Sequence, residues 1–166
     1  MTAGGARMIR LAKMGELTFL PVSIRTGGIL VIGGGRVATH KVRLLMRHTS
    51  DIRVIGAAIS DELKESGLPY EEREVEARDL DMAKLLFICT GDHDLNRRLK
   101  DEAARRRIPA SVCDSPELCD FTSPAICDVT DGVTIAVASD AKDVMRSIRI
   151  RDRIKQLIDD GTLQID

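Results

Sequence analysis

GGILVIGGGRVATHK, residues 27–41, is the stretch on which the reading of the whole chain depends. Ile29, Leu30, Val31 and Ile32 form a continuous apolar run, the pattern of a strand buried on both faces of a parallel sheet. Gly33, Gly35 and Ala38 follow in the spacing G-x-G-x-x-A, and a helix is predicted from Arg36 to about His48, with Val37, Val42, Leu44, Leu45 and Met46 as its apolar residues. Each small residue has a task in a phosphate-binding turn. Gly33 permits the tight bend from strand to helix, Gly35 lets the backbone approach a pyrophosphate, and Ala38 lets the helix pack close to the sheet. The free N–H groups of the helix N-terminus then face the anion. A glycine motif alone is weak, but between a strand and a helix it predicts dinucleotide binding over a merely structural turn.

Working outward, strands are expected at Asp51–Ala58, Lys84–Thr90 and Ile108–Cys113, with a charge-rich edge strand at Tyr70–Glu76. Helices are expected at Ser60–Ser66 and Asp94–Arg107, the latter with Leu95, Leu99 and Ala103 on one face. Alternating strands and helices predict an α/β, Rossmann-like doubly wound parallel sheet. The pattern changes after Asp114. Two apolar segments, Ala125–Val129 and Val133–Ala138, flank Asp131-Gly132 and predict an antiparallel hairpin, followed by a helix over about Lys142–Asp159. The expected organisation is a poorly determined leader over residues 1–17, a nucleotide-binding domain over 18–113, and a small hairpin-plus-helix module over 114–166. A lone hairpin is marginal, so that module is expected to dimerise.

With 166 residues, 43% hydrophobic and 31% charged, the chain suits a globular domain. Net charge of −1 argues against general nucleic-acid binding, and no apolar run has the length of a membrane span. A cytoplasmic protein is expected. Three Phe, one Tyr and no Trp leave little aromatic surface for stacking. Cys89, Cys113, Cys119 and Cys127 show no C-x-x-C spacing and read first as buried free thiols, with a metal site from the last three as the alternative. His40, His48 and His93 show no ligand spacing and read as solvent-facing.

DSPELCDFTSPAICD at residues 114–128, with FLPV at 19–22, GGGRVA at 33–38, KVRLL at 41–45 and DLNRR at 94–98, resembles the precorrin-2 dehydrogenase/sirohydrochlorin ferrochelatase family, which includes the N-terminal module of siroheme synthase. The blocks run in order from Phe19 to Ile158. The resemblance implies NAD as cofactor, a homodimer joined through the second module, and oxidation of precorrin-2 to sirohydrochlorin, with insertion of Fe2+ in some members. It puts Gly33, Gly35, Arg36, Val37 and Ala38 on the NAD pyrophosphate turn, and Thr90, Gly91, Asp92 and Asn96 beside the cofactor. Asp114 falls on the family's essential aspartate, proposed for both dehydrogenation and metal chelation. Ser139 lies where a serine follows the last strand. A Gly-rich, Ser-Pro-containing turn is replaced here by Asp140-Ala141-Lys142-Asp143, and the helical extension of many members does not follow.

From position alone, Asp114 ends a strand where ligands bind in open α/β sheets, so it is a candidate general base or, alternatively, an Asx-turn residue ahead of Ser115-Pro116. The acid expected about 20 residues past the glycines for the ribose is replaced by Gly56, Ala57 and Ala58, which leaves backbone groups or Ser60. Arg53 lies inside its strand rather than at its end and so does not argue for NADP; the preference for NAD is carried mainly by the family resemblance. Arg146, Arg149 and Arg153 share one side of the last helix, as a solvated stripe or as a site for substrate carboxylates; Arg146 and Arg149 join Ser139 as the substrate-binding candidates. Two readings compete with the dehydrogenase: a nucleotide-sensing module without catalysis, and a chelatase without dehydrogenase activity.

Overall fold

The computed structural model describes residues 27–129, 133–139 and 142–164. The expectations for the leader at 1–17, for FLPV at 19–22, for the Asp131-Gly132 turn and for Asp140-Ala141 lie outside the described residues. Two compact units are present: one over Val22–Ser123, the other taking in Pro124–Asp166.

The first unit is a parallel sheet with helices on both faces. Its strands are β1 (Ile29–Ile32), β2 (Ile52–Gly56), β3 (Tyr70–Glu72), β4 (Leu85–Ile88) and β5 (Ala110–Val112), in the order β3-β2-β1-β4-β5. All four pairings are parallel, with Val31 opposite Val54 on one side and Phe87 on the other. Helices α1 (Arg36–Leu45), α2 (Asp61–Glu65) and α3 (His93–Arg105) make the crossovers, with a 3-10 turn at Ala77–Leu80 between β3 and β4.

Strand periodicity assigns the two cores. Ile29 and Val31 of β1 pack with Val42 of α1, Leu63 of α2 and Phe87. Leu30 and Ile32 point the other way, to Leu80, Leu99 and Ala103. All four β1 side chains are buried, each worth roughly 1.5–3 kcal/mol of transfer free energy. That two-sided burial is why β1 is continuously apolar.

The elements differ from expectation mainly at the acidic edge. β3 stops at Glu72 instead of running to Glu76. Arg73 donates to both oxygens of buried Asp79, at 2.7 and 2.6 Å, and the Glu76 N–H donates to the same carboxylate at 2.7 Å. Those bonds draw the chain off the sheet into the 3-10 turn. The opposite edge is closed by side chains. Ala110 N–H donates to Asp120 Oδ2 at 2.9 Å, and Val112 N–H donates to Cys119 Sγ at 3.1 Å, so the outer rim of β5 is hydrogen-bonded without a further strand. Phe121 then packs edge-on against Phe87 at 5.3 Å.

The second unit holds β6 (Ala125–Asp128) and β7 (Thr134–Val137), an antiparallel pair with Ile126 opposite Ala136, and helix α4 (Val144–Asp159). Arg151 of α4 donates to the Ile126 carbonyl at 2.7 Å. Among the described residues no helix is long and apolar enough to cross a membrane.

Candidate active site

The strand order reverses at β1: β2 follows on one side and β4 on the other, so the carboxyl ends of β1 and β4 flank a topological switch point. Gly33 leaves β1 at φ 112°, a conformation L side chains rarely adopt, and a Cβ there would lie 2.5 Å from the Cys89 carbonyl. At Gly34 a Cβ would lie 2.1 Å from the Ala58 carbonyl. Gly35 differs: a Cβ on it would meet nothing within 4 Å. It is the exposed N-cap of α1, it brings no side chain to the helix end, and the first turn holds no acid. Arg36 and Val37 are exposed beside it, while Ala38 is fully buried against the sheet. Gly33 and Gly34 therefore close the turn against the segments that follow β4 and β2, and Gly35 leaves a bare helix N-terminus facing open space. A pyrophosphate fits such a cradle. Sequence reasoning assigned no task to Gly34, because its neighbour Ala58 belongs to another loop.

Beside α1 runs a groove lined by Arg36, Val37, Thr39, His40, Arg43, Ser60 and Glu62. The Ser60 hydroxyl is already engaged, with Thr39 Oγ1 at 2.9 Å and the Leu63 N–H at 3.4 Å, as the N-cap of α2. Glu62 is the acid in this groove; it accepts from Arg43 at 2.6 Å. Motif spacing pointed to the end of β2 and so passed over Glu62, which the first turn of α2 supplies.

The carboxyl ends of β4 and β5 bring together the second set. Asp92 caps α3, accepting from Asp94 and Leu95 N–H at 3.0 and 2.9 Å, which anchors the loop Thr90-Gly91 after β4. Gly91 and Asp92 are exposed and Thr90 is half-buried. Asn96, one turn into α3, is completely buried. Its Nδ2 donates to the Thr90 carbonyl at 3.1 Å and to both oxygens of Asp114 at 3.3 and 3.4 Å, and its Oδ1 accepts from Thr90 Oγ1. Asn96 thus meets the loop and Asp114 from beneath. Asp114 keeps an exposed carboxylate, and Ser115 Oγ donates to it at 3.3 Å. His93 Nδ1 stands 3.3 Å from Asp114 Oδ2 with its ring largely exposed. Twenty-one residues separate His93 from Asp114, and only the β4–β5 pairing joins them, so spacing carried no signal of the contact.

Below these groups the Cys89 and Cys113 sulfurs face each other at 3.0 Å. All four cysteines are free. Among the described residues no three His, Cys, Asp or Glu side chains gather as a metal cluster.

In the second unit, the Ser139 hydroxyl accepts from the Asp143 N–H at 3.0 Å, and Asp143 caps α4 through the Arg146 N–H at 2.8 Å. Ser139 is half-buried; Arg146, Arg149 and Arg153 are exposed along α4.

A family model described as NAD(P)-binding matches residues 20–125. The siroheme synthase of Pseudomonas fluorescens (strain SBW25) is 37% identical over 143 residues, covering 81% of this chain and 31% of that protein. The siroheme synthase of Nitrosomonas europaea is 32% identical over 149 residues, covering 86% of this chain and 31% of its own length. Among solved structures, SirC, a precorrin-2 dehydrogenase, superposes with a TM-score of 0.70 at 19% identity, over 83% of this chain and 70% of the other. At that identity the likeness carries the fold, including the Rossmann-like sheet with its appended hairpin and helix. The chain spans about a third of the length of the siroheme synthases it matches. It belongs to this NAD(P)-binding family, as a homologue of the segment it matches in siroheme synthases.

Proposed function

We propose that the chain is an NAD-dependent precorrin-2 dehydrogenase, oxidising precorrin-2 to sirohydrochlorin on the route to siroheme. The observation that carries this reading is Asp114: an exposed carboxylate at the end of β5, gripped from below by buried Asn96, beside the Thr90-Gly91 loop at the end of β4. Matching to siroheme synthases supports the substrate class.

Oxidation removes a hydride and a proton from the substrate. NAD, when bound, supplies the hydride acceptor. Gly33, Gly35, Arg36, Val37 and Ala38 would hold its pyrophosphate, and Thr90, Gly91 and Asp92 would border its nicotinamide end. The proton goes to Asp114. Asn96, donating to both carboxylate oxygens, keeps them oriented, and exposed His93 gives the proton a way to solvent. Glu62 favours NAD over NADP, because an acid in the α1 groove accepts a ribose hydroxyl and repels a 2′-phosphate.

Ser139, Arg146 and Arg149 are proposed to receive substrate carboxylates, and Fe2+ insertion is a separable second activity. The proposal includes a homodimer. Only Cys127 and Ser147 are buried among the described residues of the second unit, while Val133, Val144, Met145 and Ile150 stay exposed, apolar side chains that a second copy would help to cover. The proposal places the chain in the cytoplasm.

The test is anaerobic incubation with precorrin-2 and NAD, following NADH and sirohydrochlorin by absorbance. Turnover by the parent, lost in Asp114→Asn, supports the dehydrogenase. NAD binding without tetrapyrrole binding favours a nucleotide sensor. Iron insertion into sirohydrochlorin without NAD turnover favours a chelatase.

A further inference from the structure

We propose that Cys89 and Cys113 form a reversible disulfide, a thiol-oxidation site built into the floor of the β4 and β5 carboxyl ends. Parallel pairing places Ile88 opposite Val112, so Cys89 and Cys113 are the next partners in the register. Neighbouring strands lie about 4.8 Å apart, inside the range of separations that a disulfide spans. The two sulfurs already face each other at 3.0 Å, and a covalent bond needs them only about 1 Å closer. The Cys113 N–H donates to the Ile88 carbonyl at 2.9 Å, which holds the two strand ends in this alignment.

The two thiols are unequal in the way a reactive and a resolving cysteine are. Cys113 is half-buried and Cys89 is buried. The Cys89 thiol beside it, helped by the Lys41 ammonium, draws the Cys113 thiol down, and the same pairing together with burial pushes Cys89 up. With a peroxide as oxidant, the Cys113 thiolate attacks one peroxide oxygen and is oxidised to the sulfenic acid, the O–O bond breaks, and water leaves. Cys89 sulfur then displaces the hydroxyl from Cys113, its own proton departing with that hydroxyl as a second water. Two thiols and one peroxide thus yield one disulfide and two waters. Thiol reductants reverse it.

Placement gives the bond its consequence. The Cys89 carbonyl is the group that a side chain at Gly33 would strike, and Cys113 is the residue before Asp114. The disulfide would tie the strand behind the glycine turn to the strand that carries Asp114.

The experiment is to titrate the reduced full chain with hydrogen peroxide, block free thiols, and digest with trypsin and a glutamate-specific protease under non-reducing conditions. Cleavage after Glu117 separates Cys113 from Cys119. The expected result is a loss of about 2 Da in intact mass, for the two hydrogens removed, a Cys89–Cys113 cross-linked peptide, and recovery of both thiols with dithiothreitol. Cys89→Ser and Cys113→Ser should each abolish that peptide. Peroxide that leaves both thiols free, drives Cys113 alone to the sulfinic acid, or links either residue to Cys119 or Cys127 instead would overturn the proposal. The parent protein alone decides these outcomes, so they stand even if a variant fails to fold.

Discussion

Asn96 Nδ2 lies 3.3 Å from one carboxylate oxygen of Asp114 and 3.4 Å from the other, although the two residues are 18 apart in the chain. The amide is fully buried and the carboxylate exposed, so the pair joins a rigid helix to a reactive group. Asp114→Asn is expected to lower kcat for precorrin-2 oxidation by about 10²–10⁴-fold, the usual range for a general base, with NAD affinity unchanged. Asn96→Ala should also lower kcat, and it should cost about 1–3 kcal/mol of stability because the Thr90 carbonyl loses its buried donor. Steady-state kinetics beside thermal melts separate the two effects. Normal kcat in Asp114→Asn would remove the base from the mechanism.

Gly33 and Gly35 should fail in different ways. Gly33→Ala puts a methyl 2.5 Å from a backbone oxygen at positive φ, so about 1–3 kcal/mol or more of folding stability should be lost. Gly35→Val meets no protein atom near its Cβ and should fold normally. It should weaken NAD binding by about tenfold or more, roughly 1.4 kcal/mol, because the side chain fills the cradle. Calorimetry and melting curves on both variants test this division.

Glu62 sits in the groove beside α1, paired with Arg43. Glu62→Gln is expected to shift the ratio of NAD to NADP affinity toward NADP by about tenfold, since it removes a carboxylate and frees Arg43 for a phosphate. Unchanged discrimination would locate cofactor choice elsewhere.

Asp79 links acid sensitivity to the β3 edge. Arg73, then the Glu76 N–H, hold its carboxyl down to about 2, below the ordinary carboxylate range. The unfolded chain therefore binds the proton first as pH falls. The resulting stabilisation, about 2 kcal/mol, is full above pH about 4 and is lost as pH drops through about 2. Asp79→Ala should remove about that same 2 kcal/mol at neutral pH, with Glu71 still holding Arg73 at 2.8 Å, and should flatten the acid limb of a denaturation series.

Much of the fold was legible because its signals are local. Ile29–Ile32 had to be a strand buried on both faces, Ala38 had to pack closely, and the alternation of strands and helices admits few topologies besides a doubly wound sheet. The turn between β1 and α1 was legible for the same reason: its glycine spacing is set by the backbone itself. Element ends were less legible. β3 stops early because Arg73 finds Asp79, a side-chain partnership that periodicity does not encode.

What the sequence by itself determined is therefore a Rossmann-like unit with a bare helix N-terminus and an aspartate at the end of its last parallel strand. Tertiary structure alone decided the partners: His93 and Asn96 on Asp114, Glu62 on the α1 groove, Cys119 and Asp120 along the rim of β5, and Cys89 against Cys113. Each joins residues from different elements, and its geometry depends on strand order and register. Those follow from how whole apolar faces are buried together, a property of the packed sheet that no single stretch of sequence carries.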